Sequence, residues 1–377
     1  MRIELTAEQM KLQEEFSSFV CNEIMPYAGQ NDRDECTPGS MIEKIAQKGY
    51  LGAMLPTEYG GLEYDNITLG LLNEEFGKGC SSARSLLTVH GMVALAILRW
   101  GTEEQKHNWL PKLAKGECVA AFALTEPNVG SDAKSIETTA VLSGSNYVIN
   151  GKKKWITMGQ VADLFLLFAQ YEGKPTAFLV EKNFPGFSVK PIKGLMGAKA
   201  SMIAELTLED CVVPAENLVG KEGTGLSHVA LYSLDYGRYT IAWGCVGAGQ
   251  ACVDESIKYA RRRKQFGVAL RQHQLIQKMI TEMVVEVKAA RMLCYNAGSL
   301  KDCGDPDSIM ETWVAKYFAS KMIGKVAGDA VQIHGANGFS SEYPVERHFR
   351  DAKMSEIIEG TSQMHEVLIA VNAFRNI

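Results

Sequence analysis

Apolar residues recur at helical spacing from Thr6 to Trp109. Leu12, Phe16, Phe19 and Val20 form one stripe, and Thr6 with Gln9 has the form of a capping box. Pro56 and Gly60-Gly61 close a loop, after which Leu69–Phe76 and Leu86–Leu98 resume the helical period. Near Val119 the pattern changes to short apolar runs punctuated by Gly, Pro and Asn. Leu164–Ala169 reads as a strand buried on both faces, followed by Ala177–Val180. Ala204, Leu206 and Leu208 alternate with polar residues, as on a half-buried strand. Asn150-Gly151, between two β-prone triplets, predicts a hairpin turn. After Gly225 the helical period returns. Ala242, Cys245, Gly249, Val253 and Ile257 mark one long helix, and Leu275, Met279, Met283, Val287, Ala290 and Cys294 a second. Met310, Trp313, Tyr317, Ile323, Ala327, Ala330 and Val331 mark a third, and a fourth ends the chain. The expectation is an α+β protein in three parts: helices over 1–118, a β domain over 119–225 and a four-helix bundle over 226–377.

The stretch 351–363 interrupts that last helix. Val345, Phe349, Ala352 and Ile357 predict an apolar stripe before the break at Gly360, and Met364, Val367, Leu368 and Val371 another after it. Thr361 and Ser362 stand where an N-cap belongs. The turn thus offers free amide groups beside one carboxylate, Glu359. Two readings fit: a general base next to an oxyanion site, or an ordinary helix–turn–helix junction with a surface glutamate.

Composition narrows the class. The 377 residues are too many for one compact core. With 46% hydrophobic and 22% charged residues, a soluble globular protein is expected. A formal net charge of -5 argues against nucleic-acid binding. Nine cysteines without a Cys-x-x-Cys pair support neither a metal site nor a disulfide framework, and predict free thiols in a reducing compartment. The start lacks the apolar core of a signal peptide. Arg99 and Trp100 end the best apolar run, so no membrane span and a cytoplasmic location are expected.

Several motifs carry candidate chemistry. The run Ala121–Asp132, with Thr125-Glu126-Pro127 and Gly130-Ser131-Asp132, joins a strand to a loop of small and hydroxyl residues. It is either a cradle for a heterocycle or phosphate, or a plain loop. Trp155-Ile156-Thr157 is either an indole face and a hydroxyl for a flat ring, or a core Trp with a strand Thr. Arg263 in Arg263-Lys264-Gln265-Phe266-Gly267 is either a phosphate ligand or a cation at a helix C-terminus, and His273-Gln274 opens the next helix. Gln332–Gly338 ends the third helix on glycines, suiting either a pyrophosphate or a C-cap.

Taken together and in this order, these motifs resemble the acyl-CoA dehydrogenase family over nearly the whole chain. Glu342–Arg347 leading to Glu359-Gly360-Thr361 strengthens the likeness. The resemblance implies the three-domain architecture above with a barrel-like middle domain, one FAD per subunit, and Glu359 as the base that removes an α-proton from an acyl thioester. By position it implies that Phe122, Leu124, Thr125 and Ser131 line the flavin, that Trp155 and Thr157 touch its other regions, and that Thr361 and Gln363 lie near adenosine and pyrophosphate. Arg263, Phe266, Gln274, Gln332, Gly335 and Ala336 match residues that hold a neighbouring subunit's FAD, so a homodimer or homotetramer is expected. Ser131, Asp235, Arg238 and Gly360 match substrate-side positions, and the electron acceptor would be an electron-transfer flavoprotein or oxygen. Ile357 and Ile358 predict an apolar pocket that raises the pKa of the base.

Some positions depart from the family pattern: Ile358 where a tyrosine is frequent, Ala336 for a second glycine, Ile203 for a threonine. Gly237 occupies an alternative base position, leaving Glu359 without a rival. Tyr236-Gly237-Arg238, Ala242–Gly247, Ser355–Gly360 and Cys80-Ser81-Ser82-Ala83-Arg84-Ser85 look like a narrower group. These are the dehydrogenase-like enzymes of polyketide extender-unit assembly, which act on small acyl groups on an acyl carrier protein, as in making hydroxymalonyl or methoxymalonyl units. The expected activity is therefore an FAD-dependent acyl-thioester dehydrogenase or oxidase on a carrier-bound acyl group. A short-chain acyl-CoA dehydrogenase that makes a 2,3-enoyl-CoA is the alternative.

Overall fold

Six helices open the chain: α1 (Ala7–Phe19), α2 (Met25–Asp34), α3 (Gly39–Gln47), α4 (Asn66–Gly79), α5 (Ser81–Trp100) and α6 (Glu103–Lys115). The structure is a computed structural model and describes residues 4–375; residues 1–3 of the polar start, and 376–377, lie outside the described residues. The predicted capping box is present, with the Thr6 hydroxyl accepting from Gln9 N at 3.1 Å and the Gln9 side chain from Thr6 N at 3.0 Å. Phe16, Phe19 and Val20 are buried as expected. α5 differs from expectation. Length and composition alone would let it cross a membrane, yet 89% of its apolar window is buried inside the fold. It packs against the sheet and, together with α4, against the helices of the last part of the chain.

Eight strands follow: β1 (Ala120–Ala123), β2 (Thr139–Ser143), β3 (Asn146–Ile156), β4 (Leu164–Tyr171), β5 (Lys174–Glu181), β6 (Phe187–Pro191), β7 (Ala204–Pro214) and β8 (Leu218–Val219). They form one mixed sheet in the order β6-β7-β3-β2-β4-β5-β8, with β1 parallel to β4. β4 explains its own apolar run. Leu164, Leu166 and Phe168 pack with α5 and α6, while Phe165, Leu167 and Ala169 fill a second core on the opposite face. The hairpin predicted at Asn150-Gly151 is not there. β3 runs straight through it, and the turn lies at Gly144-Ser145 between β2 and β3. Gly151 marks a bulge instead: its φ is 152°, and a Cβ would come within 2.7 Å of the Thr138 Cα. Asn150 is engaged across the sheet, where its Oδ1 accepts from Asp210 N at 2.7 Å.

The last part is built on three long helices, α7 (Leu231–Arg262), α8 (Gln274–Asp302) and α9 (Ser308–His334). A two-stranded hairpin, β9 (Lys264–Gln265) and β10 (Val268–Ala269), connects α7 to α8. The expected fourth helix is broken into α10 (Val345–Ser355) and α11 (Ser362–Arg375). Its predicted apolar stripes are only half used. Val345 and Ala352 are buried, but Phe349 (50% exposed), Ile357 (57%), Val367 and Val371 face outwards. α10 packs on α7 and α9 and reaches α2 through Arg350, whose guanidinium donates to Asp32 Oδ2 at 2.6 Å, and α11 packs on α9.

Candidate active site

The break between α10 and α11 is made by backbone that helices do not use. Glu359 has φ 54° and Gly360 φ 94°. The flanks close around them. Ile357 and Ile358 N–H donate to Met354 O, and Ser362 N donates to Glu356 O at 2.9 Å. The Thr361 hydroxyl caps α11 by accepting from Met364 N at 3.3 Å. Among the described residues, no backbone carbonyl accepts from the N–H groups of Glu359 or Gly360.

Two cations grip the carbonyls of this turn from behind. Arg238 Nε on α7 donates to Glu359 O at 3.0 Å, and Lys316 Nζ on α9 donates to Gly360 O at 2.6 Å. Lys316 is fully buried, and burial lowers its pKa to about 8. The side chain of Glu359 lies against α7. Gly237 leaves room for it there: a Cβ on Gly237 would lie 2.8 Å from the Glu359 carboxyl and 3.1 Å from Met92 Sδ. Oε2 of Glu359 is buried and has no hydrogen-bond partner. Burial pushes the carboxyl up to about 7, against the opposing pull of Arg238, Lys316 and Arg84. A carboxylate poised near neutrality, desolvated and with an unoccupied oxygen, is equipped to take a proton. The cause differs from the expected apolar pocket. Ile357 points to solvent and Ile358 is half-buried, while Arg84, Lys316 and Arg238 surround the carboxyl. Desolvation comes from the depth of the turn between α7 and α9.

The other sequence candidates fall into two groups. Phe122, Leu124, Thr125 and Ser131 extend from β1 into its following loop, and Trp155 and Thr157 end β3 beside it. Lys154 N donates to Thr125 O at 2.9 Å and ties the two segments together. Trp155 is held at φ 64° and stays 48% exposed, an apolar ring surface with Lys154 Nζ 5.0 Å from its centroid. No hydrogen bond within the described chain occupies the hydroxyls of Thr125, Ser131 or Thr157. An isoalloxazine needs this combination of an apolar face and unengaged donors at its polar edge, so the residues present fit FAD. The second group is remote. Arg263 ends α7 about 39 Å from Gly237 at the helical rise of about 1.5 Å per residue. Phe266 beside it is 95% exposed on the β9–β10 turn, and Gln274 opens α8 nearby. Gln332, Gly335 and Ala336 are exposed at the same end of the bundle, where Tyr259 stacks on His334 at 4.2 Å between ring centroids. Gln363 is exposed on α11, and Asp235 pairs with Lys301.

Three adjoining sequence profiles match this chain: the N-terminal domain of acyl-CoA dehydrogenase over residues 6–117, the middle domain over 121–211 and the C-terminal domain over 223–374. The chain belongs to the acyl-CoA dehydrogenase family. It is 39% identical to the short-chain-specific acyl-CoA dehydrogenase of Clostridium acetobutylicum, across the full length of both chains. The butyryl-CoA dehydrogenase structure from Megasphaera elsdenii superposes with a TM-score of 0.95 at 33% identity, covering 99% of this chain and 100% of that one. FkbI, for biosynthesis of the methoxymalonyl extender unit of a polyketide, gives 0.88 at 31%, covering 96% and 99%. The protein is thus an FAD-dependent oxidoreductase of acyl thioesters.

Lys316 escaped the sequence reading, and Arg84 entered it only as part of the Cys80–Ser85 motif, with no role at the site. Lys316 sits among Ala315, Ala319 and Ile323, a lysine on an otherwise apolar helix face. Arg84 is the one charge in α5 before Arg99. A lone charge inside an apolar stripe was the available clue in both cases.

Proposed function

We propose that the protein is a short-chain acyl-CoA dehydrogenase. In it Glu359 removes the α-proton of a small acyl-CoA, giving the 2,3-enoyl-CoA, and an electron-transfer flavoprotein reoxidises the enzyme. The observation that carries this reading is the unpartnered, buried Oε2 of Glu359, with its pKa near 7, lying against Gly237. FAD held along Phe122, Leu124, Thr125, Ser131, Trp155 and Thr157 supplies the two-electron acceptor for the β-hydrogen. The remaining work belongs to the chain. Arg238 and Lys316 fix the turn, and the N–H groups of Glu359 and Gly360 are the donors available to a thioester carbonyl. A carrier-protein thioester is the second reading, favoured by the likeness to FkbI. It has less support, because the short-chain acyl-CoA dehydrogenase relative is more similar (39% against 31% identity).

Anaerobic mixing of the holoenzyme with short acyl-CoA esters, and with the same acyl groups on a carrier protein, tests both. Bleaching of the flavin at least as fast by the CoA ester supports the first reading. Bleaching by the carrier form alone would replace it with the second.

The remote group leads to a further expectation. Arg263, Phe266, Gln274, Gln332, Gly335 and Ala336 are exposed together at the end of the bundle, and we assign them to the FAD of a second copy. Arg263→Ala should then lower FAD content and weaken self-association together, measured by the flavin-to-protein absorbance ratio and by sedimentation. A monomer that keeps one FAD per chain would contradict the assignment.

A further inference from the structure

Three lysines follow one another on β3, Lys152-Lys153-Lys154, and the middle one is wholly buried. Two register shifts in the β3–β7 pairing bracket it, one between Ile149 and Gly151 and one between Lys153 and Ile156. Between them Lys153 pairs with Leu206, a member of the sheet core, while Lys152 stays exposed. The Lys153 ammonium lies 2.7 Å from Oε1 of Glu126, itself only 3% exposed. Burial lowers the pKa of Lys153 to about 8, against the pull of Glu126.

Stability is a poor reason for such a pair. Two charges taken out of water lose their hydration, and apolar residues of similar volume commonly serve a core at least as well. What this pair holds is backbone. The ammonium of Lys153 donates to Leu124 O at 3.2 Å, just after β1. Glu126 Oε1 accepts from Thr138 N at 3.0 Å and Oε2 accepts from Glu137 N, just before β2. Both ends of the loop 124–138 are thereby fastened to one side chain of β3. Shorter bonds set the loop between those ends. Glu126 N donates to Val129 O at 2.9 Å, and Asn128 Nδ2 donates to the Glu137 carboxylate at 3.1 Å. Thr125 and Ser131 lie in this loop, and Trp155 and Thr157 follow Lys153 within four residues. Lys153 and Glu126 are both buried in protein, so their effect on a ligand passes through the segments they hold.

We propose that the Lys153–Glu126 pair positions the FAD cradle, fixing the loop of Thr125 and Ser131 against the strand end of Trp155 and Thr157. Affinity for FAD and the surroundings of the bound flavin then depend on two residues that do not touch it. This inference rests on the cradle assigned under the proposed function and adds the element that shapes it.

Two variants of the holoenzyme test it. Lys153→Met keeps much of the side-chain length and removes the charge and the bond to Leu124 O. Lys153→Met/Glu126→Gln also leaves no unpaired carboxylate in the core. FAD affinity is measured from the flavin released on dilution and ultrafiltration, and the state of the bound flavin from its visible absorption band. Circular dichroism and sedimentation at saturating FAD report fold and assembly. Both variants should keep fold and assembly, yet hold FAD about tenfold to a hundredfold more weakly. Their visible band should move towards that of free FAD. Wild-type affinity and spectrum in either folded variant would overturn the proposal. Failure of both variants to fold would overturn it too, because the pair would then serve the whole sheet and not the cradle. Thr125→Val separates this inference from the reading beneath it. Weaker FAD binding in Thr125→Val, with unchanged binding in the Lys153 variants, sinks the positioning role alone. Unchanged binding in all three brings down the cradle as well.

Discussion

Glu359→Gln is expected to retain fold and FAD while losing substrate-dependent flavin reduction by about a hundredfold to ten-thousandfold. Glutamine keeps the shape of the side chain in the space left by Gly237, but its amide takes no proton at neutral pH. Arg238 and Lys316 hold main-chain carbonyls, not the carboxyl itself, so the turn should survive the change. The pH dependence adds a sharper criterion. The wild-type carboxyl is pushed to about 7, and the base acts in its ionised form. Reduction under kcat/KM conditions should therefore fall with decreasing pH below about 7 and level off above it. The glutamine variant should lose that limb of the profile. Stopped-flow reduction near the wild-type rate, or an unchanged acidic limb, would remove Glu359 from the proposed role.

Lys316→Met should lower the reduction rate by about a hundredfold and displace the acidic limb to higher pH. Methionine is similar in length and apolar, so the packing among Ala315, Ala319 and Ile323 changes little. What is lost is the charge-assisted hydrogen bond to Gly360 O and a positive charge close to Glu359. Without that bond the turn is held only through Arg238, and the amides of Glu359 and Gly360 lose their fixed direction. Without the charge, one influence that stabilises the ionised carboxyl is gone, which moves its pKa further up. Lys316→Arg should recover part of the pH displacement but not the geometry, because the fork of a guanidinium does not fit a point contact. A methionine variant with a wild-type pH profile would show that Lys316 only fills space.

Much of this protein was determined locally and is therefore visible in the chain. Helical spacing marked α1, α4, α5 and α7–α9; α1 and α8 bury one face along their length, whereas α4 and α5 are buried on nearly all sides. β4 was recognisable since a strand covered on both sides has no reason to alternate. The Thr361 cap and the break at Gly360 are likewise dictated by neighbours in sequence, so the turn that carries Glu359 could be found before any fold was known. Asn150-Gly151 misled for an instructive reason. The pair has the local preference for a turn, but Thr138 presses on the glycine and Asp210 engages the asparagine, both from elsewhere in the sheet.

Tertiary structure alone decided what surrounds the base. The sequence placed two isoleucines beside Glu359 and implied an apolar pocket. The fold sends Ile357 outwards and brings Arg238, Lys316 and Arg84 to the carboxyl from three different helices. Only tertiary structure set Arg263 and Gly237 apart by the length of α7 while bringing the β1 loop to the end of β3. The reason is physical: hydrophobic period and capping report a residue's neighbours within about one helical turn. Desolvation and charge, which set the chemistry of Glu359, depend on groups distant in sequence that meet only once the bundle has closed.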